Sequence, residues 1–205
     1  GTKASALWLE VSGSALVPIA AAATVSGHDQ NWGTPLTNIA DAGAQARLPR
    51  MSMTTDGGRI LVSYVLSGST NVMVGAVLSI QNVTTYLSAI NQLSDGVYSA
   101  TNGAVGLSGD GSTGVFTWTE TSGGQTYINS RTVDLGGTPT WAVSTTTLSA
   151  TDNVADGSEV RVNSDGTRAT VVWNHTPAAR SIPIIETKSA SIAGGVWTWG
   201  PLASL

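Results

Sequence analysis

The chain has 205 residues and a formal net charge of -4, with 11% charged and 41% hydrophobic residues. This length suits one domain or a short repeat array, and the regular supply of aliphatic and aromatic residues excludes intrinsic disorder. The absence of cysteine excludes a disulfide framework and a thiolate metal site, and the few, mainly acidic charges offer no basic surface for nucleic acid.

The composition also bears on location. The longest apolar stretch, residues 15–25, contains Pro18 and is much shorter than the roughly 20 residues of a membrane-spanning helix. We therefore expect no membrane segment. Abundant serine and threonine, few lysines and an acidic balance are typical of bacterial secreted and surface proteins, so we expect an extracellular or cell-surface location.

A repeat of about 55 residues organises the chain. Its first landmarks are three Asp-Gly pairs, each followed eight residues after the Asp by an aromatic residue. A second aromatic residue and a closing aliphatic residue keep the same register. In chain order, the landmarks are Trp8, Trp32, Ile39; Asp56, Tyr64, Tyr86, Leu93; Asp110, Trp118, Trp141, Leu148; and Asp165, Trp173, Trp197, Leu205.

Within a unit, the sequence predicts four strands and no helix. The first strand shows period-two alternation in residues 50–54, 104–108 and 159–163. It runs into the Asp-Gly pair, which predicts a type I′ hairpin turn with positive φ at both residues. The second strand ends at the landmark aromatic residue. A third strand is expected in residues 72–80, 127–133 and 182–187, and a turn, Gly-Gly in the last two units, leads to the fourth.

Repeated four-stranded antiparallel units predict an all-β fold, a β-propeller of four blades. The expected units are residues 1–39, 40–93, 94–148 and 149–205, which form one propeller domain or a fragment of a larger propeller. The first unit lacks its innermost strand. Since an open sheet edge invites pairing, we expect a homo-oligomer or a partner chain to complete the open blade. A β-sandwich is the alternative architecture.

The order of these landmarks resembles the propeller repeats of bacterial secreted and cell-surface proteins. The shared pattern is a strand, S/T-x-D-G, a strand ending in Trp, a third strand, a Gly-Gly turn and W-x(6)-L-S. The resemblance covers nearly the whole chain and implies an architecture, not a function. The S-x-D-x-G-x-x-W box of sialidase-like propellers is absent from this sequence.

Candidate binding residues come from the face where the loops between units and the loops between second and third strands should surround a channel. Arg50 and Glu159 occupy equivalent first-strand positions but differ in chemistry. Tyr98 falls outside the repeat landmarks, as do Tyr127 and Trp199. The predicted binding residues are Arg47, Arg50, Tyr98, Glu159, Arg161, His175 and Arg180. The alternative to a binding role is that these polar residues only line a water-filled channel. We expect His28 and His175 to be loop histidines, and we expect no metal or cofactor.

The sequence favours a non-catalytic extracellular module for binding or assembly, one that recognises a glycan or a protein through its loop face. We therefore expect that the chain is not an enzyme. One alternative is a sialidase-like or lyase-like glycan-active enzyme, for which the candidate set is Arg47, Arg50, Arg161, Glu159 and Asp95. Another is a purely structural repeat that assembles with itself. We expect neither a nucleic acid nor a membrane as partner.

Overall fold

The computed structural model describes residues 2–40, 45–150, 153–178, 182–193 and 196–205. Within these ranges the chain forms strands, turns and bends, and no helix that could cross a membrane is present. The predicted all-β fold with antiparallel sheets is confirmed.

The strands fall into four successive groups, which we call units I to IV. Unit I holds β1 (Thr2–Ser12), β2 (Ala15–Ser26) and β3 (Asp29–Trp32). Unit II holds β4 (Ala46–Met53), β5 (Arg59–Leu66), β6 (Val72–Gln81) and β7 (Thr84–Gln92). Unit III holds β8 (Ser99–Leu107), β9 (Thr113–Ser122), β10 (Gln125–Asp134), β11 (Thr140–Trp141) and β12 (Thr146–Thr147). Unit IV holds β13 (Asn153–Val162), β14 (Arg168–Pro177), β15 (Ile184–Ala193), β16 (Val196–Trp199) and β17 (Ala203–Ser204).

Each unit is an antiparallel meander in which the first three strands pair consecutively. Units I and II form separate sheets of three and four strands. In unit III, β11 and β12 both pair with β10, and in unit IV, β16 and β17 both pair with β15, so the outermost strand of each is interrupted. One parallel residue pair, Thr126 with Val154, joins these two units into a ten-stranded sheet.

The Asp-Gly turns differ from the predicted type I′ geometry. In unit II, Gly57 has a φ of 65°, but Asp56 is not among the residues with positive φ. The Gly57 amide donates to the Thr54 carbonyl (2.9 Å), and the Arg59 amide donates to Thr54 Oγ1 (3.0 Å). The prediction was wrong because the side-chain oxygen of Thr54 supports a wider loop, built around a four-residue turn.

The third strand of unit IV also differs from the prediction. The expected strand spanned residues 182–187, whereas β15 begins at Ile184 and continues to Ala193. Pro183 has no amide hydrogen to donate, and the pairing with β14 begins where Ile184 lies opposite His175.

The hydrophobic core consists of separate clusters between consecutive units. Tyr64 belongs to the cluster between units I and II, Trp118 to the next and Trp173 to the one between units III and IV. These three side chains are at most 2% exposed, so the landmark aromatic residues pack between units. Trp8 is partly buried against a smaller cluster in unit I.

The units follow one another in space as they do in the chain. Strand contacts link unit I to unit II, unit II to unit III, and unit III to unit IV. Among the described residues, no extended packing joins unit I to unit IV. Among the described residues, units I and IV are therefore the two ends of the array.

Candidate functional site

A cleft of about 330 Å³ opens beside the turn between β9 and β10 of unit III; we call it the loop-face cleft. It lies where β8 begins and β9 ends, so residues distant in sequence meet there. Its lining residues are Tyr98, Glu120, Ser122, Tyr127, Asn129 and Thr147. Strand pairing sets this arrangement: Tyr127 lies opposite Glu120, and Thr147 lies opposite Asn129.

Glu120 is the buried acid of the cleft, with 8% of its surface exposed. Asn129 Nδ2 donates a hydrogen bond to Glu120 Oε2. Thr147 Oγ1 in turn donates to Asn129 Oδ1 (2.8 Å), which fixes the direction of the Asn129 amide. The carboxyl group is thus held in place by a side chain from the neighbouring strand.

The pKa of Glu120 lies above its ordinary value of 4.5. Burial is the main cause, since it disfavours the charged form, and the negative charge of Asp95 adds to it. The neighbouring Trp118 side chain and the hydrogen bond that Asn129 donates partly offset this shift. Glu120 therefore keeps its proton to a higher pH than an exposed glutamate would, and in that form it can donate a hydrogen bond.

Unit IV places a different pair at the equivalent positions. His175 follows Trp173 by two residues, as Glu120 follows Trp118, and Glu186 lies opposite Trp173, as Asn129 lies opposite Trp118. His175 Nδ1 is 2.5 Å from Glu186 Oε1, and Trp173 Nε1 donates to Glu186 Oε2 (3.1 Å).

This placement corrects the prediction that His175 is a loop histidine. His175 is 5% exposed within β14 and forms a buried pair with Glu186. Because these residues are eleven positions apart and meet only through strand register, sequence spacing did not reveal the pair. Glu120, in contrast, forms no ion pair with any cationic side chain in the described residues.

Tyr98 is the predicted binding residue that lines the cleft, and its side chain is 44% exposed. Tyr127, the other tyrosine outside the repeat landmarks, donates from its hydroxyl to Gln125 Oε1 (2.8 Å). Sequence reasoning missed Glu120 and Asn129. The sequence did contain one signal: Glu120 is an acidic residue two positions after Trp118, whereas the corresponding residue of unit II is Leu66.

The remaining predicted binding residues lie elsewhere. Arg47 and Arg50 are exposed on β4, where Arg50 Nη1 donates to the Pro49 carbonyl (3.2 Å). Glu159 and Arg161 form an exposed ion pair (3.8 Å) on β13. None of these four lines the cleft, and Arg180 lies outside the described residues.

The described residues hold no group of three or more His, Asp or Glu side chains placed to bind a metal ion. The Asp-Gly carboxylates are instead engaged in their own turns. The pKa of Asp110 is lowered chiefly by the hydrogen bond from the Ser112 amide and then by that from the Ser108 hydroxyl.

Comparison with known proteins finds similarity at the level of structure. No family model and no curated protein matches the sequence. A matching solved structure comes from a study of two prolyl endopeptidases and of the role of inter-domain dynamics in their catalysis and specificity. Its TM-score is 0.43, and its sequence is 14% identical to this chain. The match covers 100% of this chain and 28% of that one, so the chain spans little more than a quarter of the length of the endopeptidase chain.

The prediction that the chain is not an enzyme is corrected by this match, because the solved structure belongs to an enzyme. At a TM-score of 0.43, the likeness carries no catalytic residue and no substrate over to this chain.

Proposed function

We propose that units I to IV are consecutive blades of a β-propeller and that the loop-face cleft of unit III binds a glycan. Three features support the propeller: antiparallel meanders of similar length in units II, III and IV, a core cluster between each pair of neighbours, and the same Asp-Gly turn in these three units. The three strands of unit I fit a blade without its innermost strand.

Glu120 carries the proposal for the cleft. A buried carboxyl group without a cationic partner is costly to keep unless it has a use. Held by Asn129, Glu120 can accept a hydrogen bond from a sugar hydroxyl or, when protonated, donate one. Tyr98 supplies an exposed aromatic face for the apolar side of a sugar ring. Such a mixture of aromatic and few polar groups is usual in ligand sites.

The proposal is tested with the intact chain on an array of immobilised glycans. Tyr98→Ala should weaken binding to any captured glycan about tenfold, the loss of one aromatic contact. Tyr86→Ala is the matched control, because Tyr86 is similarly exposed (47%) but lies on β7, outside the cleft. The proposal fails if no glycan binds or if Tyr98→Ala binds as well as the unsubstituted chain.

A second candidate function is cleavage of the bound glycan. Glycoside hydrolysis uses two carboxyl groups, one of which has a raised pKa and donates a proton. Glu120, whose pKa is raised by burial and further by the negative charge of Asp95, is the observation that favours this candidate. The measurement is release of reducing ends from bound glycans. Glu120→Gln should abolish the release while binding persists, whereas an unsubstituted chain that releases nothing excludes cleavage.

The free edge of β1 supports assembly as part of the proposed function. β1 pairs with β2 along its whole length, and its other edge has no strand partner among the described residues. We propose that a strand from a partner chain or a second copy pairs there and places the module in an extracellular or surface assembly. Native mass measurement at several concentrations tests this, since a monomer at every concentration excludes a second copy.

A further inference from the structure

A groove lined by tryptophans runs along the outer rim between units III and IV; we call it the rim groove. It consists of two adjoining cavities of about 250 and 260 Å³ that share Thr132, Ala142 and Trp197. Trp141 lines one cavity and Trp199 the other.

The interrupted outer strands explain why the groove exists. In unit II, β7 is a continuous strand of nine residues. In unit III, the corresponding strand is split into β11 and β12, and the intervening residues 142–145 do not pair as a strand. Side chains of unit IV therefore face an opening at this place, not a continuous strand.

Two tryptophans form one wall of the groove. Trp197 and Trp199 are two residues apart on β16 and lie opposite Ile192 and Ala190 of β15. They consequently share one face of the strand, with Cα atoms about 7 Å apart, and both pack against the core cluster between units III and IV. Their spacing suits successive rings of an extended ligand.

The tryptophans retain unused hydrogen-bonding capacity. Trp141 packs against Phe116, with ring centroids 5.4 Å apart. No indole N–H of Trp141, Trp197 or Trp199 donates to another residue that the structure describes. Each is available to an oxygen acceptor of a ligand.

The rest of the lining is rich in hydroxyl groups and offers little free charge. The hydroxyl residues are Ser112, Thr113, Ser130, Thr132, Thr140, Ser144 and Thr146. Arg131 donates to the carbonyls of Ala142 (2.6 Å) and Gln92 (2.9 Å), and Asp134 Oδ1 accepts from the Gly136 amide (2.8 Å). The charged groups at the groove are thus already engaged in backbone contacts.

We propose that the rim groove is a second ligand site, which binds a neutral polysaccharide chain. Sugar rings stack on Trp197 and Trp199, and ring hydroxyls bond to the indole N–H and the serine and threonine hydroxyls. The site is separate from the loop-face cleft, because Ser130 and Thr132 lie on the face of β10 opposite to Asn129. The inference does not rest on the proposed function of the cleft.

The test follows the indole N–H resonances of the isotopically labelled chain by nuclear magnetic resonance, each assigned by a single Trp→Phe substitution. The probes are short neutral oligosaccharides prepared from cellulose, chitin, mannan and starch. At least one should shift the signals of Trp197 and Trp199 and leave that of Trp32 unchanged. Trp32 is the matched control, since it is 44% exposed in unit I.

Two variants separate binding from folding. Ser144→Trp fills the groove from an exposed position without altering the core, and it should weaken oligosaccharide binding about tenfold. Tyr98→Ala should leave rim-groove binding unchanged, which distinguishes this site from the loop-face cleft. The proposal is overturned if none of the four oligosaccharides shifts the two signals, or if Ser144→Trp binds normally. A proline-rich peptide that shifts them where sugars do not would also overturn it.

Discussion

One side-chain oxygen stabilises each Asp-Gly turn. Thr54, Ser108 and Asn163 occupy the position two residues before the Asp, and each accepts a hydrogen bond from the amide five residues further on. Ser108 is fully buried, accepts from the Thr113 amide (3.0 Å) and donates to Asp110 Oδ1 (2.7 Å). The S/T-x-D-G pattern therefore reflects turn chemistry, not a ligand site.

Ser108→Ala should lower the free energy of unfolding by about 1 to 3 kcal/mol, because it leaves the Thr113 amide without this acceptor. Chemical denaturation measures the difference. Ser164→Ala is the control, since Ser164 is exposed in the equivalent turn of unit IV and its loss should change stability by less than about 0.5 kcal/mol. Equal effects of the two substitutions would refute this role for Ser108.

Burial of Glu120 predicts a pH dependence of stability. Its pKa is raised in the folded chain, so its contribution is fully present below the unfolded value of 4.5 and is lost as pH rises through the folded pKa. Glu120→Gln should therefore raise the unfolding free energy at neutral pH, and the gain should vanish below about pH 4. Glu10→Gln, at the corresponding exposed position of unit I, should show no such gain. A gain independent of pH would contradict the assignment.

The sequence predicts the residues that recur in every unit, but it does not predict the pairs that form in a single unit. Tyr64, Trp118 and Trp173 recur at one position of the repeat and are all buried, whereas Trp8 at the same position is partly buried. The pairs of His175 with Glu186 and of Glu120 with Asn129 depend on cross-strand register. Register is set by pairing and turn geometry, and the turn type had been predicted incorrectly.

At the level of single elements, the first strands share an irregularity that period-two alternation did not reveal. β4, β8 and β13 each shift register at equivalent places, between Arg47 and Arg50, Thr101 and Ala104, and Asp156 and Glu159. The residue after the first of each pair has positive φ: Leu48 (51°), Asn102 (46°) and Gly157 (66°). A bulge therefore recurs in each of these first strands.

Leu48 is the poorest residue for this conformation, because a leucine side chain strains a left-handed backbone that Asn or Gly adopts more readily. Leu48 is also 42% exposed, so its replacement removes little packing. Leu48→Asn should raise the unfolding free energy by about 1 kcal/mol, measured by thermal or chemical unfolding. Leu48→Val, which adds β-branching at positive φ, should lower it. If the two variants shift stability in the same direction, strain is not the cause.

The interruption of the outer strands could not be predicted from the sequence. A fourth strand was expected in every unit, but units III and IV have two short pieces in its place. The landmark tryptophans Trp141 and Trp197 do lie in these outer pieces. Short segments of two to four residues have little pattern of their own, so the break that opens the rim groove could not be read from periodicity.

Across the whole molecule, stability should depend on how many neighbours each unit has. In a linear array, each repeat is stabilised by its own fold and by its contacts with adjacent repeats. Units II and III each pack against two neighbours, whereas the described contacts give units I and IV one each. Arg59 strengthens the central junction, since its Nη1 donates to the carbonyls of Gly111 and Leu135, both at 2.7 Å.

Native-state hydrogen exchange of the chain alone should therefore rank the units. Amides of β5 and β9, strands buried along most of their length in units II and III, should exchange slowest. Amides of β3, where all four residues are exposed, should exchange fastest, and those of β16 should follow. Arg59→Ala should speed exchange in both central units, because it removes the two hydrogen bonds that Arg59 donates to unit III. Uniform protection across all four units would instead indicate that unit I packs against unit IV in solution and closes the array into a ring.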